Sequence, residues 1–263
     1  MLEYPDFDPV IFSIGFLKVR WYGLMYVIGF LAAWWLARRR AEARHAPIRP
    51  QQVDDLIFYC MLGVILGGRL GYCFVYGWDQ LTSDPLYIFK ITEGGMSFHG
   101  GLAGVMVAIW LYGRRLGRRF WEMGDFVAPL APLGLGFGRI GNFINGELWG
   151  KPTDVPWSFN VNGQSLHPSQ LYEATLEGFV LFVIVWLYSA KARPYRAVSG
   201  VFLTGYGVFR FFIEFYRVPD AQLDYLALGW VTMGQVLSTP MIVLGMVLLV
   251  LAWRDGKPRE VTA

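Results

Sequence analysis

The 263-residue chain is poor in cysteine, histidine and charge. Two cysteines exclude a disulfide-framed fold. Cys60 and Cys73 fall in one apolar run, where the intervening helix sets them about 20 Å apart, so they read as two buried thiols rather than a bonded pair. Three histidines and two such thiols offer no ligand spacing for a metal centre. No G-x-S-x-G, H-E-x-x-H or phosphate-loop motif occurs, and nothing suggests an organic cofactor; the expectation is an absence of both metal and cofactor. Charged residues make up 16% of the chain, against roughly 25% in soluble domains. With 55% hydrophobic residues and a mean hydropathy of +0.39, disorder is excluded and little room is left for a large soluble domain. Met1 to Phe16 is acidic and contains proline, without the basic start of a cleavable signal peptide.

What the chain has is long apolar runs. A bilayer-spanning helix needs about 20 mostly apolar residues. Seven stretches qualify, at roughly 20–37, 54–77, 96–113, 123–143, 169–190, 198–216 and 232–253. The linkers are short, so residues 1–263 read as a single polytopic membrane domain. The expected fold is an all-α integral membrane protein of seven transmembrane helices with a small head segment. Orientation follows from where lysine and arginine cluster. Arg38, Arg39, Arg40, Arg44 and Arg49 share one side with Arg114, Arg115, Arg118 and Arg119, with Lys191, Arg193 and Arg196, and with Arg254, Lys257 and Arg259. Only Lys18, Arg20, Lys90, Lys151 and Arg217 fall on the other. The basic side is cytoplasmic, which puts the N-terminus in the periplasm and the C-terminus in the cytoplasm. The net charge of +3 is then a topology signal and a surface for membrane lipids, and no nucleic-acid partner is expected.

Arg69, Arg139 and Arg210 lie inside apolar segments, where an arginine is costly unless it faces the protein interior or a polar cavity. Arg139 belongs to a glycine-rich run that ends Arg139-Ile140-Gly141-Asn142-Phe143-Ile144-Asn145-Gly146-Glu147-Leu148-Trp149-Gly150. On a continuous helix Arg139, Asn142 and Glu147 share a face. A cation, an amide and a carboxylate together suit a phosphate; an arginine–glutamate staple between helices is the plainer alternative. Tyr206, Arg210 and Glu214 repeat every four residues, with Arg217 one turn beyond, and the stripe must face inward. It reads either as an ion pair of Arg210 with Glu214 or Glu147, or as the second half of an anion site. Gly94-Gly95-Met96-Ser97-Phe98-His99-Gly100-Gly101 opens the third span and frames His99, as a functional or a structural histidine. His167-Pro168-Ser169-Gln170-Leu171-Tyr172-Glu173, with Glu177 one turn later, reads as a structural polar network. Gly63, Gly67 and Gly71 form a seam for close helix contact; the role of neighbouring Arg69, and that of Tyr22 at the start of span one, are open.

The stretch Gly94–Gly101, the run from Gly138 to Glu147, the segment His167–Glu173, and Gly205-Tyr206-Gly207 with Arg210 and Glu214 together resemble the bacterial phosphatidylglycerol–prolipoprotein diacylglyceryl transferase family. The resemblance covers essentially the whole chain. It implies transfer of the diacylglyceryl group of phosphatidylglycerol to the lipobox cysteine of a prolipoprotein, forming a thioether and releasing glycerol phosphate in the first step of lipoprotein maturation. It carries over His99, Arg139, Asn142, Gly150, Arg210, Glu147, Glu214, Tyr22 and Tyr206 as catalytic or lipid-binding positions, and Arg217 joins the substrate-binding set. A thiol ionises near pH 8.5, so a base is needed, and a neutral imidazole such as His99 suits the task. Arg139 would hold the headgroup phosphate and Arg210 the departing one, with Asn142 orienting the headgroup and Glu147 and Glu214 positioning the arginines. A tyrosine or carboxylate is the competing base. The expected partners are phosphatidylglycerol, the lipobox peptide and membrane lipids, the expected location is the bacterial inner membrane, and the expected state is a monomer. A solute transporter would show paired broken helices in two halves, and only one glycine-rich break is present.

Overall fold

A computed structural model describes residues 1–5, 7–15, 17–90, 94–219 and 225–256; Lys257 and Arg259, counted above as cytoplasmic charges, lie outside the described residues. The chain is mostly helical and divides into two compact units, Ala37–Phe126 and Met1–Leu36 together with Val127–Ala263.

The unit Ala37–Phe126 is built on α2 (Pro50–Val75) and α4 (Phe98–Arg115). Pro50 starts α2 at a position where its missing N–H costs nothing, and the Arg49 N–H donates to Gln52 Oε1 at 2.9 Å. Ser97 caps α4 by accepting from the Gly100 N–H at 3.2 Å, and Arg114 and Arg115 complement its C-terminal dipole. The two helices meet along the expected glycine seam. A Cβ on Gly63 would lie 2.6 Å from the Gly104 carbonyl oxygen, and one on Gly71 2.7 Å from Gly100 Cα, so only glycine permits backbones this close. Between them run α3 (Trp78–Ser83) and a 3₁₀ turn (Pro85–Phe89) capped by Asp84. Arg69 is almost fully buried on α2 and donates to the carbonyls of Ile88 (3.1 Å), Gly94 (2.6 Å), Gly95 (3.2 Å) and Tyr87. Its plane also lies 4.6 Å from the Tyr87 ring centre. The structural reading of Arg69 holds: it ties down the loop that enters α4. Cys60 and Cys73 are buried, free thiols.

The other unit holds most of α1 (Trp21–Ala41), α6 (Ala131–Ile144), a helix running Ser169–Tyr188, α9 (Ala197–Ile213) and α10 (Met233–Asp255). The span expected at 123–143 is instead two helices, α5 (Phe120–Val127) and α6, parted at Ala128-Pro129-Leu130. Pro129 and Pro132 supply no backbone N–H, so an α-helical ladder cannot cross that point unbroken. The Ser169–Tyr188 helix is α7 (Ser169–Glu173), a π-helical stretch Ala174–Val180 and α8 (Leu181–Tyr188). The wider turn crosses α6 where Gly178 meets Gly136, and a Cβ on Gly178 would lie 2.7 Å from Gly136 Cα. Thr232 and Gln235 exchange side-chain bonds to cap α10.

Among the described residues five short strands accompany the helices. Val10–Ile14 pairs antiparallel with Leu17–Arg20, and Leu2–Glu3 pairs parallel with Phe159–Val161, which forms a hairpin with Gln164–Leu166 through Asn162-Gly163, both at positive φ. The head segment is therefore a hairpin, too short for its own core. Pro50–Val75, Ser169–Tyr188 and Met233–Asp255 are long and apolar enough to cross a membrane, with mean hydropathies of 1.6, 1.6 and 2.3. Their outward faces expose Phe58, Leu66, Phe74 and Val250, each more than half accessible, which fits lipid as the surrounding solvent and not water.

Candidate functional site

Six ionisable side chains of the unit that includes Val127–Ala263 gather among α6, the Ser169–Tyr188 helix, α9 and the turn after it. At the centre is Glu173, fully buried. Its Oε1 accepts from Nη1 of Arg210 and, at 2.7 Å, from Nη1 of Arg217, while Oε2 faces Arg139 Nε at 3.3 Å. Glu214 is the second hub: Oε1 pairs with Arg210 Nη2 and with Arg217 Nε at 3.1 Å, and Oε2 accepts from the Thr232 hydroxyl at 2.7 Å. Glu177, also fully buried, has no hydrogen bond on either oxygen; Arg210 Nη1 lies 3.9 Å away. Three arginines thus meet two carboxylates directly, with a third close by, in a segment where an uncompensated charge would be prohibitive. The accessibility is uneven. Arg139 and Arg210 keep 21% and 15% of their side-chain surface accessible and Glu173 keeps none, so the two arginines are partly accessible while the carboxylate they share is enclosed.

The Arg139–Glu147 run does not stay helical. α6 ends at Ile144, and Gly146 and Leu148 take positive φ, which carries Glu147 off the helix face shared by Arg139 and Asn142. Among the described residues Glu147 takes the Asn142 and Asn145 amides, each at 3.3 Å, in place of the arginine expected for it. The irregular loop is pinned from the next helix: Gln170 donates to the Glu147 carbonyl and the Ser169 hydroxyl to that of Leu148 at 2.7 Å. Gly150 has a packing reason to be glycine. A Cβ there would fall 2.8 Å from His167 Cβ and 2.9 Å from the His167 carbonyl oxygen, and Gly150 pairs as a β-bridge with Arg217, which places that arginine.

Tyr22 shares a 3.3 Å hydroxyl contact with Tyr26, and its ring abuts Gly141 beside Asn142, so it neighbours the polar end of α6. Tyr206, one turn before Arg210, stacks on Phe202 against a core of Ala128, Leu181, Val185 and Val198. His99 is the second residue of α4 in the other unit; it is exposed, with its ring edge-on to Phe98. His167 donates to or accepts from the Tyr172 hydroxyl at 3.0 Å, and burial holds its imidazole below the ordinary histidine pKa.

Sequence reasoning brought Arg139, Arg210, Glu214 and Arg217 together correctly but missed the residue that joins them. Glu173 and Glu177 read as a structural network because their spacing carries no information about partners. The usable signal was electrical: Arg139, Arg210 and Arg217 need more than one buried carboxylate. The pairing of Arg210 with Glu214 is present, and that with Glu147 is replaced by Glu173.

Comparison with known proteins concerns the chain as a whole. A family model described as prolipoprotein diacylglyceryl transferase matches residues 9–251. Proteins named phosphatidylglycerol–prolipoprotein diacylglyceryl transferase are similar throughout: that of Oleidesulfovibrio alaskensis is 57% identical over 260 residues, 98% of this chain and 97% of its own. The Methylococcus capsulatus protein is 57% identical over 257 residues (96% and 98%), and that of Ectopseudomonas mendocina 56% over 258 residues (97% of each). Identity at that level, over nearly the full length of both chains, allows one conclusion: this chain belongs to the prolipoprotein diacylglyceryl transferase family.

Proposed function

We propose that the chain transfers the diacylglyceryl group of phosphatidylglycerol to a lipobox cysteine of a prolipoprotein. The observation that carries this reading beyond the family is the set of three arginines converging on Glu173, with Arg139 and Arg210 partly accessible. A forked donor in a low-dielectric site is suited to an anionic headgroup. In the reaction the thiol sulfur bonds to the terminal glyceryl carbon and that carbon's bond to the phosphate oxygen breaks. The bonding pair leaves on the phosphate, and the thiol proton passes to a base. Charge grows on the phosphate as the bond lengthens, and preorganised arginines stabilise it there without reorganisation.

Arg139 holds the headgroup phosphate and Arg210 the developing charge. Arg217 supports both through Glu173 and Glu214, and Glu214 aligns Arg210 and Arg217. Asn142, held by Glu147, orients the headgroup; Tyr22 and Tyr206 border it, and Gly150 keeps Arg217 in place. His99 takes the thiol proton. The chain functions as one membrane domain of seven spans in the bacterial inner membrane, working as a monomer with an outside N-terminus, a cytoplasmic C-terminus and its site near the periplasmic leaflet. The strong skew of arginine toward alternate loops supports this topology.

The test is turnover by purified protein in detergent, supplied with phosphatidylglycerol and a peptide carrying Leu-Ala-Gly-Cys. We expect glycerol phosphate release and a diacylglyceryl mass gain that vanishes when the peptide cysteine is serine. Well-folded protein that releases nothing overturns the reading.

A further inference from the structure

We propose that Glu173 is a positioning residue that competes with the leaving phosphate for the three arginines and so governs how readily the product departs. The inference rests on the reading of this cluster as the phosphate site. Among the described residues Glu173 is the one carboxylate that touches Arg139, Arg210 and Arg217 together, and it is completely enclosed. Arg139 and Arg210 are partly accessible and Glu173 is not, so an incoming phosphate reaches the arginines first and Glu173 acts on it only by what it withholds from them.

The need for such a competitor follows from the charges. A phosphodiester substrate carries one negative charge. Its monoester product loses a second proton near about pH 6 and carries close to two at neutral pH. Three arginines alone would hold the product more tightly than the substrate, and affinity for product does not raise turnover. Glu173 and Glu214 offset much of the arginines' charge. The arginines then respond to charge that develops in the transition state without trapping the dianion. Glu177 stands further off, with neither oxygen hydrogen-bonded and Arg210 3.9 Å away.

Removing the charge at constant shape separates this role from simple stapling of helices, which would loosen the site. Glu173→Gln and Glu173→Asp are prepared in detergent, their folding is checked by thermal unfolding, and the binding of glycerol phosphate and its inhibition of turnover are measured. For Glu173→Gln we expect glycerol phosphate to bind and inhibit about tenfold more tightly, with an initial burst of thioether product followed by slower steady turnover. Folded Glu173→Gln that binds glycerol phosphate as weakly as wild type, or more weakly, overturns the proposal. Should Glu173→Gln not fold, Glu173→Asp decides: with its carboxylate drawn back from the arginines, tighter product binding supports the proposal and unchanged binding overturns it. Arg210→Gln tells the two readings apart. If it leaves glycerol phosphate binding unchanged, the site assignment fails; if it abolishes binding while the carboxylate variants do not tighten it, only the competitor role fails.

Discussion

A guanidinium and an ammonium carry the same charge, yet only the first can hold a carboxylate and a phosphate at once through separate N–H edges. Arg139 presents Nε to Glu173 at 3.3 Å and keeps part of its side chain accessible. Arg139→Lys is therefore expected to lose about 100-fold or more in turnover, on the scale of removing one transition-state donor. Near-normal turnover would reduce Arg139 to a helix staple. His99→Gln keeps a polar side chain of similar reach but cannot accept the thiol proton, and we expect a loss of about 10²–10⁴-fold. Retained activity would move the base elsewhere and leave the arginine assignments standing. His167 behaves differently. Burial lowers its pKa, so the unfolded chain takes up a proton that the folded one resists. Its neutral form costs nothing above the ordinary histidine range, and stability is lost as pH falls below about 6.5. His167→Gln should flatten the decline in melting temperature between about pH 7 and about pH 5; an unchanged slope would place the titrating group elsewhere.

At the scale of elements, the close crossing of α2 and α4 depends on absent side chains. With 2.6 Å between a Gly63 Cβ and the Gly104 carbonyl, Gly63→Val must push the helices apart. Overpacking of this kind costs about 1–3 kcal/mol, which thermal unfolding in detergent would register as a lowered melting temperature. Arg69 acts on an element as well: four backbone carbonyls between Tyr87 and Gly95 depend on it. Arg69→Met leaves those acceptors without their charged donor. The loop before α4 is then expected to become protease-sensitive; wild-type resistance would show that the loop holds itself. The break at Ala128-Pro129-Leu130 and the π-helical stretch at Ala174–Val180 belong to the same scale, because both adjust where the polar residues of α6 and of the Ser169–Tyr188 helix arrive.

For the whole molecule the governing fact is the solvent. Apolar residues point outward on Pro50–Val75 and Met233–Asp255, and the ionised groups are gathered inward and matched in sign. The proposed orientation, with the arginine-rich loops inside, puts the C-terminus in the cytoplasm. Alkaline phosphatase fused after Asp255 should then be inactive, and one fused into the hairpin turn at Asn162-Gly163 active. The opposite pattern would invert the proposed orientation.

The membrane class, the position of most of the helices and the glycine seam were legible in the sequence. They depend on local quantities: hydropathy summed along a run, glycine periodicity and the cost of an isolated buried arginine. The pairing of charges was not legible. Glu147 stands near Arg139 in sequence and would share its face on an ideal helix, but the chain leaves that helix at Ile144 and delivers Glu147 to two asparagines. Glu173 comes from a different helix, through a close glycine crossing and a π-helical turn, to take the three arginines. Which carboxylate neutralises which arginine is a matter of distance in space, and Coulomb energy at low dielectric is set by that distance. Only the tertiary structure decides it.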